Sequence, residues 1–413
     1  MKSGKLGPFM LSGLMVGPVL GSGIFILPPL VHEAAGAWAI PAWLITVALN
    51  AVFAFVFGFL AIRFPGNGGV GDAIGQVFGP RAKRLASYYL ISAVIFGPAA
   101  VLLTIARYLP LPLLDTLPGG RMGVALCLVP LGFLFLLQHI RSIGTVALAI
   151  SSISAVLLLV GGVLVMAFHG SGQDLLPEPA SFDADVFGHA LLMLFWIIVG
   201  WEVVGNYSGE VDDPQRTIPA AVWGSVIAVT AVELCVAFAI QTADVPVQAG
   251  YGVAKLLYPL FGASAGIVCS VLVTALCVTT YLMFVGGVAR LMAALAAEGA
   301  LPAVFAKTRN GVPVVSIGVL CLMQAGSLAA CIAGVAKLES LVAIASGFFL
   351  ANAIIGIGTG IVMLPHVWKR VCAALLGAVL LVVLSQSQWF VLAACIILAL
   401  WCFNPAERLT ARS

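Results

Sequence analysis

Charged residues are scarce in this chain. Asp, Glu, Lys and Arg make up 8% of its 413 residues, against about 25% in an ordinary soluble domain. A water-facing surface cannot be built from a third of the usual charge, which excludes a soluble enzyme. No polar stretch is long enough for a separate extramembrane domain. Lys and Arg occur in ones and twos, so a basic surface for nucleic acid is excluded as well. The nine cysteines (Cys127, Cys235, Cys269, Cys277, Cys321, Cys331, Cys372, Cys395 and Cys402) form no C-x-x-C pair and fall in or beside apolar runs. They read as small buried hydrophobes, with neither a metal site nor a disulfide framework expected. Met1 to Pro8 leads into an apolar run without a small-residue cleavage pattern, so no signal peptide is expected.

What is abundant is apolar sequence, 62% of the residues. A helix crossing the hydrocarbon core needs about 20 apolar residues, so twelve crossings use about 240 and leave room for short loops only. Runs bounded by charge or by Gly and Pro place the helices at 8–31, 37–62, 83–109, 122–139, 144–168, 186–208, 217–242, 262–296, 313–334, 338–364, 370–385 and 388–403. The eighth exceeds one crossing, and its end near Ala293–Glu298 is expected to project into water. With the amino terminus cytoplasmic, fifteen Lys and Arg fall on the cytoplasmic side. Only Arg107, Arg121, Lys255 and Lys337 fall on the other. That asymmetry is the positive-inside pattern and places both termini in the cytoplasm.

Two of the spans contain what a plain lipid-facing helix avoids. In the first, Gly17-Pro18-Val19-Leu20-Gly21-Ser22-Gly23-Ile24-Phe25 sits near mid-membrane. Glycine costs roughly 1 kcal/mol in a helix and proline roughly 3. Backbone released from helical bonding is tolerated at that depth only where protein or a water-filled cavity covers it. The sixth span carries Gly200 at mid-depth, followed by Trp201 and the carboxylate of Glu202. Close helix packing through small residues is the competing explanation for either glycine segment. The breaks lie five helices apart. An odd offset inverts the second group, so helices 6–10 repeat helices 1–5 upside down. Paired breaks in inverted halves point to a transporter binding site. Unwound backbone offers N–H groups to an anion and carbonyl oxygens to a cation, and a zwitterionic α-amino acid needs both.

Four segments in order resemble the amino acid–polyamine–organocation superfamily of transporters. They are Gly21-Ser22-Gly23-Ile24-Phe25, the glycine-rich Pro65–Asp72 loop, the string Phe195-Trp196 through Gly200-Trp201-Glu202 to the Glu210-x-x-x-Pro214-x-Arg216-x-x-Pro219 pattern, and Ala289–Pro302 with Val312-Pro313. The compact length and the F-W-x-x-V-G-x-E string look most like the bacterial methionine and branched-chain amino acid exporter branch. The resemblance implies an all-α polytopic membrane protein with a LeuT-like 5+5 inverted repeat. Twelve transmembrane helices are expected, with helices 1 and 6 unwound mid-membrane. Residues 8–168 would form the first repeat and 186–364 the second, with 370–403 as two peripheral helices. It implies substrate carboxylate held by backbone amides at Ser22, Gly23 and Ile24, beside Val19. The α-amino group would be received by carbonyls of Trp196, Ile197 and Val199, with Gly200 supplying flexibility. Trp201, Phe96, Tyr281 and Phe284 are the side-chain pocket candidates.

Buried charge is costly in a bilayer, so the ionisable residues inside spans carry information. Glu202 reads either as a gating or proton-handling group or as a carboxyl that caps the unwound segment. Glu233 reads as structural or as lying at the lipid interface. His139, Arg141 and Arg107 read as snorkelling residues, and Asp72 as a turn residue. Helix 5 contains no lysine to stand in for a coupling ion. Thr279 and Thr280 could contribute to a sodium site, though threonine hydroxyls also bond back along their own helix. Coupling to H+ or Na+, and uncoupled exchange, stay open, and no cofactor is expected.

The expected function is alternating-access transport of small neutral, hydrophobic L-amino acids such as methionine or branched-chain residues across a bacterial inner membrane, as exporter or exchanger. Cationic amino acids or polyamines on the same fold form the alternative within the class. A divalent-metal transporter would need a carboxylate at the first break, where there is none. An intramembrane enzyme would need paired catalytic groups, yet the five histidines scatter to span ends. A channel would need a filter repeat, and none is visible. The expected partners are the amino acid and the lipid bilayer.

Overall fold

The computed structural model describes residues 7–64, 69–137, 143–170, 177–201, 211, 213–243 and 252–404. Glu202, Asn206, Glu210, His139, Arg141 and residues 65–68 of the glycine-rich loop lie outside them. All described secondary structure is helical, apart from two isolated β-bridges.

In order along the chain, the first helices are α1 Pro8–Leu20, α2 Gly23–Ala35, α3 Ala39–Arg63, α4 Gly69–Phe78, α5 Pro80–Tyr108, α6 Gly120–Leu136 and α7 Ile143–His169. Next come α8 Ala184–Leu194, α9 Pro214–Thr242, α10 Ala254–Phe261 and α11 Ala265–Ala297. Last are α12 Val314–Ile332, α13 Leu338–Met363, α14 Val367–Ser385 and α15 Trp389–Phe403. Among the described residues, eight helical stretches are long and apolar enough to cross a membrane. Gly120–Leu136, Ala184–Ile198 and Trp389–Phe403 are apolar but shorter.

The interior is built around α5, which packs against α4, α6, α11, α12, α13 and α15. On the other side α9 packs against α1, α2, α3, α7 and α10. Lipid is as apolar as leucine, so close contact between helices depends on small residues and fit rather than on hydrophobic contrast. Gly58 of α3 illustrates this: a Cβ there would stand 2.9 Å from Val222 Cγ2 on α9. The outward faces of α14 and α15 keep large apolar side chains exposed, including Leu375, Val382, Ile397 and Leu400, as expected of lipid-facing surface.

Two local readings change. Asp72 does not serve a loop turn; it lies in the first turn of α4 and pairs with Lys83 Nζ at 3.3 Å. A carboxylate is favoured at that end of a helix by the unpaired N–H groups there. Glu233 is not at a lipid interface. It is fully buried inside the bundle.

Candidate functional site

The first break begins where α1 ends at Leu20. Gly21 has φ of 29° and Ser22 closes the turn, after which α2 starts at Gly23. The carbonyl of Ser22 accepts the N–H groups of Phe25 and Ile26, both at 3.1 Å. Ser22 Oγ is buried with no hydrogen-bond partner among the described residues. That hydroxyl lies at the start of α2, beside the positive end of the helix dipole. Further along, Pro28 and Pro29 cannot donate to the carbonyls four residues earlier. The Phe25 carbonyl so released accepts the hydroxyl of Tyr108 instead, at 2.8 Å.

The second break starts earlier than the position of Gly200 suggests. Asp183 caps α8, its carboxylate accepting the N–H groups of Asp185 and Val186 at 2.9 and 3.0 Å. The α-helix stops at Leu194 and tightens into a 3-10 turn over Phe195–Ile198. Val199 is extended, and Gly200 has φ of 129°, where an L side chain is strained.

The two breaks touch. A Cβ on Gly23 would stand 3.1 Å from Ile197 Cγ2 and 3.2 Å from Trp196 Cδ1. Trp196 continues across to α5, where a Cβ on Gly97 would be 3.0 Å from its Cη2. Its ring meets Phe349 of α13 edge-on at 6.1 Å, and Phe349 in turn meets Phe284 of α11 at 5.7 Å. Phe96 stacks against Phe348 at 6.4 Å. Of the anticipated residues, Gly23, Trp196, Ile197 and Phe284 thus join one aromatic neighbourhood. Val19, Ile24 and Val199 are buried beside it. Phe348 and Phe349 were missed because α13 is apolar on every side, and periodicity does not distinguish its inner face. The adjacent pair Phe348-Phe349 on the helix matching the tenth span was the only available signal.

Three anticipated side chains do something else. Tyr281 points away from the breaks: its hydroxyl donates to Gln324 Oε1 at 2.9 Å, and Gln324 donates on to the Val94 carbonyl at 3.1 Å. Its ring fills the space that a Cβ on Gly132 would need, at 2.6 Å. It therefore ties α11 to α12, α5 and α6. Thr279 bonds back along α11 to the Leu276 carbonyl at 2.8 Å, and its neighbour Thr280 is buried. Trp201 is fully buried, and its indole N–H donates to Asn50 Oδ1 on α3. Asn50, a buried amide in an apolar span, was a second residue that sequence reasoning missed.

The Val253 N–H donates to the Tyr108 hydroxyl oxygen at 3.2 Å, so α2, α5 and the start of α10 meet at one group. Nearby, His189 of α8 lies 3.0 Å from Glu339 of α13. A groove of about 670 Å³ lies elsewhere, between α6, α7 and α11, lined by residues such as Phe135, Ile150, Val271, Val278 and Thr279. Its walls are apolar, so it does not satisfy the charged ends of a zwitterion.

Two interrupted helices pressed together inside an apolar bundle, with a helix start on one and an aromatic wall around the other, define a membrane transport protein for small solutes. The chain belongs to the amino acid permease family, which residues 6–412 match. The L-methionine/branched-chain amino acid exporter YjeH of Escherichia coli K12 is 25% identical over 411 residues, spanning 96% of this chain and 95% of that protein. Large neutral amino acids transporter small subunit 2 of Oryctolagus cuniculus is 28% identical over 260 residues, 59% of this chain and 48% of its own. The cadaverine/lysine antiporter of Escherichia coli K12 is 30% identical over 229 residues, 52% of this chain and 49% of its own. Among solved structures, MhsT in complex with L-phenylalanine superposes with a TM-score of 0.67. It covers 94% of this chain and 99% of its own at 14% identity, which establishes the LeuT fold. The protein is accordingly a multi-pass membrane protein of a transporter family, and its relatives are transporters rather than enzymes.

Proposed function

We propose that the protein is a secondary transporter of small neutral, hydrophobic L-amino acids, methionine and the branched-chain residues first among them. The substrate carboxylate sits at the start of α2, at the backbone amides of Ser22, Gly23 and Ile24 with Ser22 Oγ. The α-amino group faces the carbonyls of Trp196, Ile197 and Val199. The side chain lies against Trp196, Phe284 and Phe349. Alternating access then means the two halves, 8–168 and 186–364, rocking around the breaks, with residues 370–403 outside. The lysine and arginine distribution supports cytoplasmic termini in a bacterial inner membrane.

The observation that carries this reading is the contact of Gly23 with Trp196 and Ile197. The start of α2, with the positive end of its dipole, lies against an aromatic, uncharged surface, which supports a zwitterion with an apolar side chain as the substrate. The test is counterflow in proteoliposomes, with unlabelled methionine inside and trace labelled methionine outside. Counterflow needs no driving ion. Accumulation blocked by leucine and unaffected by arginine is expected. Block by arginine or cadaverine would move the assignment to cationic substrates, and no accumulation by folded protein would reject methionine.

A further inference from the structure

Glu233 is the group that the site described above leaves unexplained. It is fully buried on α9, and neither carboxyl oxygen has a hydrogen-bond partner among the described residues. The side chain facing it is Asn50 of α3. Asn50 spends its carbonyl oxygen on the indole N–H of Trp201, and its amide end stands near the carboxyl without a hydrogen bond to either oxygen. Trp201 directly follows Gly200, the strained pivot of the second break. A line of polar groups therefore runs from the buried acid through one amide to the segment that must move.

Among the described residues, nothing else on the packed elements balances a charge on this acid. The described part of α1 holds no ionisable residue, and α3 has only Arg63, in its last turn. His169 ends α7. α2 carries His32 and Glu33 near its end, and α10 carries Lys255 and Tyr258. On α9 itself the others are Arg216, in the first turn, and the thiol of Cys235. None of them reaches a Glu233 oxygen. An unpaired charge in such surroundings is costly, so an ionised Glu233 and this closed packing exclude one another. Linkage makes the relation reciprocal: a conformation that admits water to the acid changes its proton occupancy, and the proton biases the conformation.

We propose that Glu233 is the proton-binding group of this transporter, connected to the second break through Asn50 and Trp201. One proton enters from water when the bundle opens around the acid and leaves to water when it opens on the other side. The proposal rests on the transport reading above, and it moves the proton from Glu202 to Glu233.

The test has two arms. In the first, tryptophan emission of the purified full-length protein is titrated from acid to neutral pH without substrate. Wild type is expected to show a pH-dependent change that Glu233→Gln and Trp201→Phe lose and Glu202→Gln keeps. In the second, proteoliposomes receive a gradient of about one pH unit, enough to drive up to about tenfold accumulation for one proton per substrate. Glu233→Gln is expected to keep counterflow and to accumulate nothing above equilibrium, while Glu233→Asp regains accumulation. A Glu233→Gln protein that keeps the emission change or the accumulation overturns the proposal. So does a wild-type emission that ignores pH. If Glu233→Gln fails to fold, Asn50→Leu replaces it, and an unshifted midpoint of the emission change is the refuting result. Failed wild-type counterflow would strike the substrate reading alone, because the emission arm needs no substrate.

Discussion

Gly23 is where a single added carbon tests the site most directly. A Cβ at this position meets Ile197 Cγ2 at 3.1 Å and Trp196 Cδ1 at 3.2 Å, so alanine asks its neighbours to yield by a few tenths of an ångström. Valine adds two further methyl groups in the same gap. Overpacking of this kind costs about 1–3 kcal/mol, which is about five- to 150-fold in an equilibrium that requires the two breaks to close. The expected series is a few-fold loss of methionine counterflow for Gly23→Ala and loss of more than about tenfold for Gly23→Val. Gly58→Ala serves as the control. Its Cβ would stand 2.9 Å from Val222 in the α3–α9 interface, away from the breaks, so thermal stability should fall while counterflow persists. Reduced transport in both proteins in proportion to lost stability would show that Gly23 matters only for packing. Wild-type counterflow in Gly23→Val would refute the two-break site itself.

Three other outcomes follow from the same geometry. Gly200→Ala forces an L residue to φ of 129°, a strain of about 1–3 kcal/mol; counterflow should drop at least several-fold while membrane insertion is unchanged. Tyr108→Phe orphans both the Phe25 carbonyl released by Pro29 and the Val253 N–H, at about 1–3 kcal/mol for the buried groups left unpaired. A lower apparent Tm of the purified protein is expected, and an unchanged Tm would show that the contact carries no stability. Because Thr279 bonds to its own helix, replacing sodium with choline should leave counterflow unaltered. A sodium requirement would return Thr279 and Thr280 to consideration.

Residues of similar sequence prominence ended in different places, and the reason is specific to apolar helices. Tyr281 and Phe284 sit three apart on α11, yet only Phe284 joins the Trp196–Phe349 neighbourhood. The Tyr281 hydroxyl found Gln324, a partner on the next helix, α12. Glu233 was legible as a buried acid and illegible as the neighbour of Asn50 and Trp201, since the three lie on different elements. In a soluble helix, polar residues mark the outward face. Here lipid and protein interior are both apolar, so a helix such as α13 carries no stripe to show which way it faces.

The amino-acid sequence by itself determined what depends on local chemistry and on length. Apolar runs set the spans, Gly21-Ser22-Gly23 interrupted the first helix, and the lysines and arginines marked a side. Helix propensity and the cost of charge in a bilayer act residue by residue, so they can be read without a fold. Tertiary structure alone decided which faces meet: Gly23 against Trp196, Phe349 against Phe284, and Asn50 between Trp201 and Glu233. Those contacts join residues distant in sequence, and between uniformly apolar helices only packing fit and the need to pair buried polar groups select them.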